Sequence, residues 1–500
     1  MKITTTRRIS QIFFFTLFIW LCVVTTIGQK LWQHRGWPVN FFLNLDPLGV
    51  IGTVLSTHKL YASLLWSLIT IILTILFGRF FCGLVCPFGT LHQFVSHLAH
   101  GKKTSKLISL HKYHKAQRIK YYILIVFLIM AAFGGSSSLL SGLLDPIPLF
   151  TRSINLLILP IIGSSAKIVA TNRFYQSSLL TLAVFLIFVL LNFYKPRFFC
   201  IYICPLGALF GLINRFAILR INRNLSKCTD CKLCDSHCQG SCEPAETVKL
   251  SECLLCFNCI DDCKFNAVDF STAESETIQM SPDLSRRGLV AAAFTGLLTL
   301  PALRLFGASY KDSNLIRPPG AIPEKDFLKR CLKCGQCMRL CPSNVIQPAG
   351  LEAGLENLWT PVMNNRIGTS GCQLNCVACG YICPTAAIKP LTLAEKLGKG
   401  DFSDKGPVKI GTAFVDRSKC LPWAYGIPCL VCQENCPVSP KAIYTQPGDD
   451  KQNETAILRP YVDPQRCIGC GICQHECPVG SKGAIIVTPD GQSRENKFFL

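Results

Sequence analysis

Cysteines grouped as CxxCxxC with a fourth close by dominate the chemistry available to this chain, which carries 30 cysteines in 500 residues. Three thiolates at that spacing wrap one face of a four-iron cubane, and in two-cluster arrangements the fourth ligand comes from the partner group. One pair of groups is Cys228, Cys231, Cys234 and Cys238 with Cys253, Cys256, Cys259 and Cys263. Ligand exchange gives Cys228, Cys231, Cys234 and Cys263 to one cluster and Cys253, Cys256, Cys259 and Cys238 to the other. Neither Cys238 nor Cys263 precedes a proline, and Cys242, just before Glu243 and Pro244, competes with Cys238 as crossing ligand. The usual spacing favours Cys238.

Four further groups follow. Cys331, Cys334, Cys337 and Cys341 form the first, and Cys372, Cys376, Cys379 and Cys383 the second. Cys420, Cys429, Cys432 and Cys436, with LPWAYGIP in the first gap, form the third, and Cys467, Cys470, Cys473 and Cys477 the fourth. If one two-cluster unit is inserted in another, groups one and four exchange fourth ligands, as do groups two and three. The 24 thiolates of all six groups imply six [4Fe-4S] clusters. Structural zinc prefers two CxxC knuckles set apart around a tetrahedral ion, which six such groups do not resemble. Cysteines three residues apart bridge poorly as disulfides, and no CxxCH for covalent haem occurs.

Two other thiol pairs stand in a different pattern, CxxxCP: Cys82 and Cys86, then Cys200 and Cys204. These thiols are redox-active, metal ligands or small packing residues; the proline and glycine that follow make a tight turn and lean toward a redox or ligand role. Cys22 reads as core filler. Asp46 and Asp145 either take protons from a bound quinol or start helices as Asp-Pro loops, the commoner use. His34, His58, His92, His97 and His100 show no helical ligand pair that would bind haem. No side chain is needed as a catalytic acid or base.

The elements that position these residues divide the chain. With 49% hydrophobic residues it holds apolar stretches at 11–28, 60–80, 121–143 and 178–194, long enough or nearly so to cross a hydrocarbon core of about 30 Å. Residues 153–170, broken by Pro160 and Gly163, read as an interfacial or re-entrant element, and 288–306 is a fifth candidate span. The expected organisation is a membrane α-helical part with four helices and both CxxxCP turns (1–215), an α+β two-cluster domain (216–280), a fifth helix (281–307) and a double, four-cluster domain (308–500). The membrane part repeats itself: Leu45-Asp46-Pro47-Leu48 precedes a helix and Cys82 to Gly89, and Leu144-Asp145-Pro146-Ile147 precedes a helix and Cys200 to Gly207. Each copy is a two-helix unit.

The formal net charge of +21 would suggest a nucleic-acid partner on a soluble protein. Six four-thiolate cubanes subtract about 12 charges, and Arg7, Arg8, Lys102 to Lys120 and Arg215 to Lys227 flank apolar runs as loops held inside do. No nucleic acid is expected. Putting those loops inside makes the N-terminus and the 216–280 domain cytoplasmic and the C-terminal domain external. Arg286-Arg287 resembles a twin-arginine export signal, although Leu289 stands where phenylalanine is usual.

On these motifs, residues 1 to about 275 resemble the NapH type of membrane ferredoxin. Residues 282 to about 490 resemble the MauM/NapG type of periplasmic ferredoxin, through the Ser-Arg-Arg segment, Arg317-Pro318-Pro319-Gly320-Ala321-Ile322, the groups ending Cys341-Pro342 and Cys477-Pro478, and the widened third group. The resemblance implies a fused quinol dehydrogenase component of a bacterial inner membrane, passing electrons from the quinone pool to a periplasmic reductase or cytochrome. Reverse flow from a cytoplasmic donor and a maturation or redox-sensing role for a periplasmic metalloenzyme use the same residues.

Overall fold

The computed structural model describes residues 2–25, 38–59, 65–100, 104–133, 137–165, 173–272, 278–279, 282, 284–308, 315–448, 457–480 and 482–494. Its first part is helical; the rest consists of short strands and turns around the cysteines. Two helical stretches, Ile3–Val24 (22 residues) and Leu107–Phe133 (27 residues), are long and apolar enough to cross a membrane. At 1.5 Å per residue the first reaches about 33 Å; the second stretch is interrupted at residues 111–114, and its continuous helix, Ile119–Phe133 (15 residues), reaches about 22 Å.

The other apolar helices are shorter. Ser67–Phe77 has 11 residues where 60–80 was expected, residues 60–64 lying outside the described ones. It stops at Gly78, whose φ of 82° a residue with a side chain adopts only under strain. Ser178–Leu190 is prolonged by one tight turn to Phe193. Each Asp-Pro loop adds a short helix of its own, Pro47–Thr57 and Pro146–Ser153, with proline at its first position. The second continues through a π-helical turn to Ser165, and residues 146–157 are almost all buried. The segment expected to be interfacial or re-entrant is, in its described part, helical and mostly buried as far as Pro160, with Ile161 and Ile162 exposed.

Arg286–Ala308 is a single helix that runs parallel to Ile119–Phe133, with Gly288 against Tyr122 and Gly296 against Val126 and Ile129. Both copies of the repeat feed one apolar core in which Phe18 stacks on Phe150 at 5.0 Å and Phe88 meets Phe199 edge-on at 5.2 Å. Cys334 of the C-terminal part belongs to that same core.

The first cysteine-rich domain is closed by antiparallel pairing of Arg220–Arg223 with Val268–Ser271. In the C-terminal part, Ile346–Pro348 pairs with Pro361–Met363, and Ala321 bridges to Ile388. Thr412–Val415 pairs with Ile485–Thr488, and Ile443–Pro447 with Leu458–Val462. These pairings close two successive units, in place of the nested arrangement expected.

The two cysteine-rich parts sit at opposite ends of Ile3–Val24. At its start, the Thr4 amide donates to Asp261 at 3.1 Å and Arg7 to Gln239 at 3.2 Å. Beyond its end, Asn40 donates to the Ile382 carbonyl at 2.7 Å, and Gln336 to that of Val39 at 3.5 Å.

Candidate metal centres

Four cavities in the C-terminal part are each lined by four cysteines. Cys331, Cys334, Cys337 and Cys383 surround about 390 Å³, and Cys341, Cys372, Cys376 and Cys379 about 370 Å³. Cys420, Cys429, Cys432 and Cys477 surround about 370 Å³, and Cys436, Cys467, Cys470 and Cys473 about 310 Å³. Groups one and two thus exchange their fourth ligands, and so do groups three and four. This corrects the expected exchange between one and four and between two and three. Physically, the strand pairs that close each unit bring only neighbouring groups together.

Among the described residues no three His, Cys, Asp or Glu side chains close on a single-ion distance. Backbone amides donate to the sulfurs: Ala413 to Cys467 at 3.4 Å and Ala484 to Cys477 at 3.3 Å. Burial pushes the thiols of Cys334, Cys432 and Cys470 up to about 12, so without iron they remain protonated, and cluster binding must displace those protons. The amide of Cys372 donates to the carbonyl of Cys470 at 2.7 Å, placing the second cavity beside the one that holds Cys470.

In the first cysteine-rich domain, Cys253, Cys256 and Cys259 are buried, as are both contenders for the fourth place, Cys238 and Cys242, whose sulfurs lie 3.3 Å apart. Cys228, Cys234 and Cys263 are half-buried and Cys231 is exposed. Arg223 donates to Cys228 at 3.2 Å and the Ala267 amide to Cys263 at 3.3 Å.

The two CxxxCP turns meet. Cys82, Cys86, Cys200 and Cys204 line one cavity of about 370 Å³ together with Arg79, Arg197, Pro146 and Leu254. Each turn is a π-helical turn ending at the second cysteine, which then caps a helix, Pro87–Ala99 or Pro205–Ile213. The two arginines went unnoticed in the sequence, although the repeat carries them: Arg79-Phe80-Phe81-Cys82 matches Arg197-Phe198-Phe199-Cys200.

Asp46 and Asp145 are 1% and 0% exposed and cap their helices, accepting from the amides of Leu48 at 3.0 Å and Ile147 at 3.4 Å. Of the histidines, His92 is buried and its Nδ1 contacts Asn192 at 3.0 Å; His34 lies outside the described residues. Cys22 is buried in the apolar core.

Residues 60–106 and 177–226 match a 4Fe-4S binding domain family, and residues 427–481 a 4Fe-4S dicluster domain family. An uncharacterized protein of Methanocaldococcus jannaschii is 29% identical over 259 residues, 51% of this chain and 89% of its own length. The methylamine utilization ferredoxin-type protein MauM of Methylobacillus flagellatus is 34% identical over 193 residues, 38% of this chain and 74% of its own. The ferredoxin-type protein NapG of Escherichia coli is 32% identical over 157 residues, 31% of this chain and 62% of its own. No solved structure matches.

Proposed function

The chain belongs to the MauM family of ferredoxin-type 4Fe-4S proteins, which makes it an iron-sulfur electron-transfer protein, and from that premise we propose that it carries electrons across a membrane, from quinol to a periplasmic reductase or cytochrome. When bound, [4Fe-4S] clusters supply one-electron carriers. The residues of this chain hold them in place, exclude water and set their spacing.

The observation that carries the reading is the attachment of two cluster-binding parts to opposite ends of Ile3–Val24, a helix of membrane-spanning length. In this reading the first domain, with the basic loops beside it, faces the cytoplasm, and the C-terminal domain faces the periplasm. The parallel course of Ile119–Phe133 and Arg286–Ala308 supports this topology, because both then run outward. The exposed Tyr425 and Ile427, in the widened gap of the third group, offer an outer docking edge close to Cys429.

The test is anaerobic purification of the full chain in detergent, addition of a menaquinol or ubiquinol analogue, and EPR of the clusters. Reduction by quinol supports the relay. Clusters that quinol leaves oxidised but a low-potential cytoplasmic donor reduces would reverse the direction of flow. Labile clusters required only while a partner enzyme is being matured would replace the relay with an assembly role.

A further inference from the structure

The helical part places one buried cation against the wall of a single site in the C-terminal part. We propose that this residue, Arg152, raises the reduction potential of the cluster held by Cys331, Cys334, Cys337 and Cys383, so that electrons enter the C-terminal part there; this rests on the reading of those thiols as a cluster site.

The repeat marks Arg152 as an exception. Matching Asp145 to Asp46 sets Arg152 against Thr53, whose hydroxyl donates within its own helix, to the Gly49 carbonyl at 3.0 Å. Only the second copy carries a cation at this place. Arg152 is 0% exposed. Its Nη1 donates to the Gly142 carbonyl at 2.7 Å and to that of Lys333 at 3.3 Å, and its guanidinium lies 3.9 Å over the ring of Trp359. Lys333 and Trp359 both line the cavity of about 390 Å³ among the four thiols. Arg152 is thus one side chain away from whatever fills it.

Its charge has no carboxylate to answer it. Among the described residues Arg152 makes no ion pair, and its Nε and Nη2 find no hydrogen-bond partner. The carboxylates nearby are engaged, Glu324 with Arg317 and Arg494, and Glu356 with Lys333. The negative group within its electrostatic reach is Cys334. Burying a cation without a counter-charge is strongly unfavourable. A cubane with four thiolates carries about −2 and becomes more negative by one on reduction. A fixed cation in a low-dielectric interior therefore favours the reduced form over the oxidised one. Arginine stays protonated, so the bias persists at any working pH.

The neighbouring sites lack this device. The walls of the other three cavities in the C-terminal part carry no charged side chain. Lys396 reaches Cys372 of the second at 3.5 Å but is held by the carbonyls of Gln373 and Cys376, each at 2.6 Å. The first site also abuts the helical part: Leu332 lies against Gly49, Leu156 against Gly335, and Asn155 donates to Gln336 at 3.3 Å. One electron arriving from the helical part is held here and then leaves for the cluster at Cys341, Cys372, Cys376 and Cys379. No bond changes and no proton moves.

The experiment compares the anaerobically purified full chain with Arg152→Gln and Arg152→Lys, reading iron, acid-labile sulfide and an EPR-monitored redox titration. The signal that belongs to this cluster is the one altered in Cys383→Ser. Arg152→Gln should keep its iron and lower the midpoint of that signal alone. At a fixed potential the ratio of oxidised to reduced cluster should rise about tenfold, which is about 59 mV for a one-electron couple. Arg152→Lys, which keeps the charge without the planar fork, should stay near wild type. An unmoved midpoint in Arg152→Gln, or an equal drop in Arg152→Lys, would overturn the proposal. If Arg152→Gln does not fold, the wild-type titration decides: this signal should be the first of the four C-terminal ones to appear as the potential is lowered, and any other order would overturn the proposal. A wild-type chain without iron, or with stoichiometric zinc, would instead overturn the cluster reading on which it rests.

Discussion

The backbone of Gly83 lies against the carbonyl oxygen of Leu254, so that a Cβ at residue 83 would stand 2.2 Å from it. Here a CxxxCP turn meets the loop that carries Cys253 and Cys256. Only a glycine permits the approach, and neither backbone can yield cheaply. Gly83→Ala should therefore part the two elements, destabilising the fold by about 1–3 kcal/mol. It should also slow electron passage between the two ends, read as slower reduction of the C-terminal clusters by a donor that reaches only the first domain. An unchanged rate in a folded variant would show that this contact is not on the route.

The revised ligand exchange gives an additivity test. Cys341 shares a cavity with Cys372, Cys376 and Cys379, and Cys383 shares one with Cys331, Cys334 and Cys337. Cys341→Ser and Cys376→Ser should perturb the same EPR signal, and the double variant should lose no more iron than the worse single one. Cys341→Ser with Cys334→Ser should strike two clusters, with losses that add, because the sites are independent. The opposite pattern would restore an exchange between distant groups.

These pairings mark the limit of what the sequence discloses. The cysteine groups were legible because the spacing around a cubane is local, set by a few residues of one turn. Which group lends its fourth ligand depends on strand closure, and the pairing of Thr412–Val415 with Ile485–Thr488 is a contact over some seventy residues that spacing does not encode. The repeat of the CxxxCP units was equally plain, but the meeting of Cys82 with Cys200 in one cavity follows from packing of the two copies. Apolar runs located the helices, whereas the positive φ of Gly78, which ends one early, is a backbone property that hydropathy does not register.

Lys120 and Glu252, 1% and 4% exposed, form an ion pair where the first domain meets the helical part, and the Tyr121 hydroxyl donates to the same carboxylate at 2.9 Å. Removing one partner strips a buried charge of its direct ion pair, at a cost of up to about 3–5 kcal/mol, moderated for Glu252 by the nearby Arg79. Lys120→Met should accordingly lower the unfolding temperature of the detergent-solubilised protein sharply. Lys120→Met/Glu252→Leu should recover much of the loss, since an apolar pair of similar volume needs no compensation. A double variant as unstable as the single one would mean that the Tyr121 contact matters more than the pair.

Glu324 ties the start of the C-terminal part to its end, accepting from Arg317 at 3.1 Å and from Arg494 at 2.6 Å. Burial opposes its ionisation, yet the two guanidiniums outweigh burial and hold the carboxyl down at about 2. A carboxyl depressed on folding stabilises the native state fully above its unfolded value, about 4.3, and loses that contribution as pH falls through 2. The depression corresponds to about 3 kcal/mol. Glu324→Gln should therefore lower resistance to denaturant, followed by cluster absorbance, by a constant amount from pH 8 down to about pH 5. The gap to wild type should narrow only below that. A gap that already closes between pH 7 and 5 would contradict the depressed carboxyl, because ordinary carboxylates remain ionised there and only a group with a raised value would titrate.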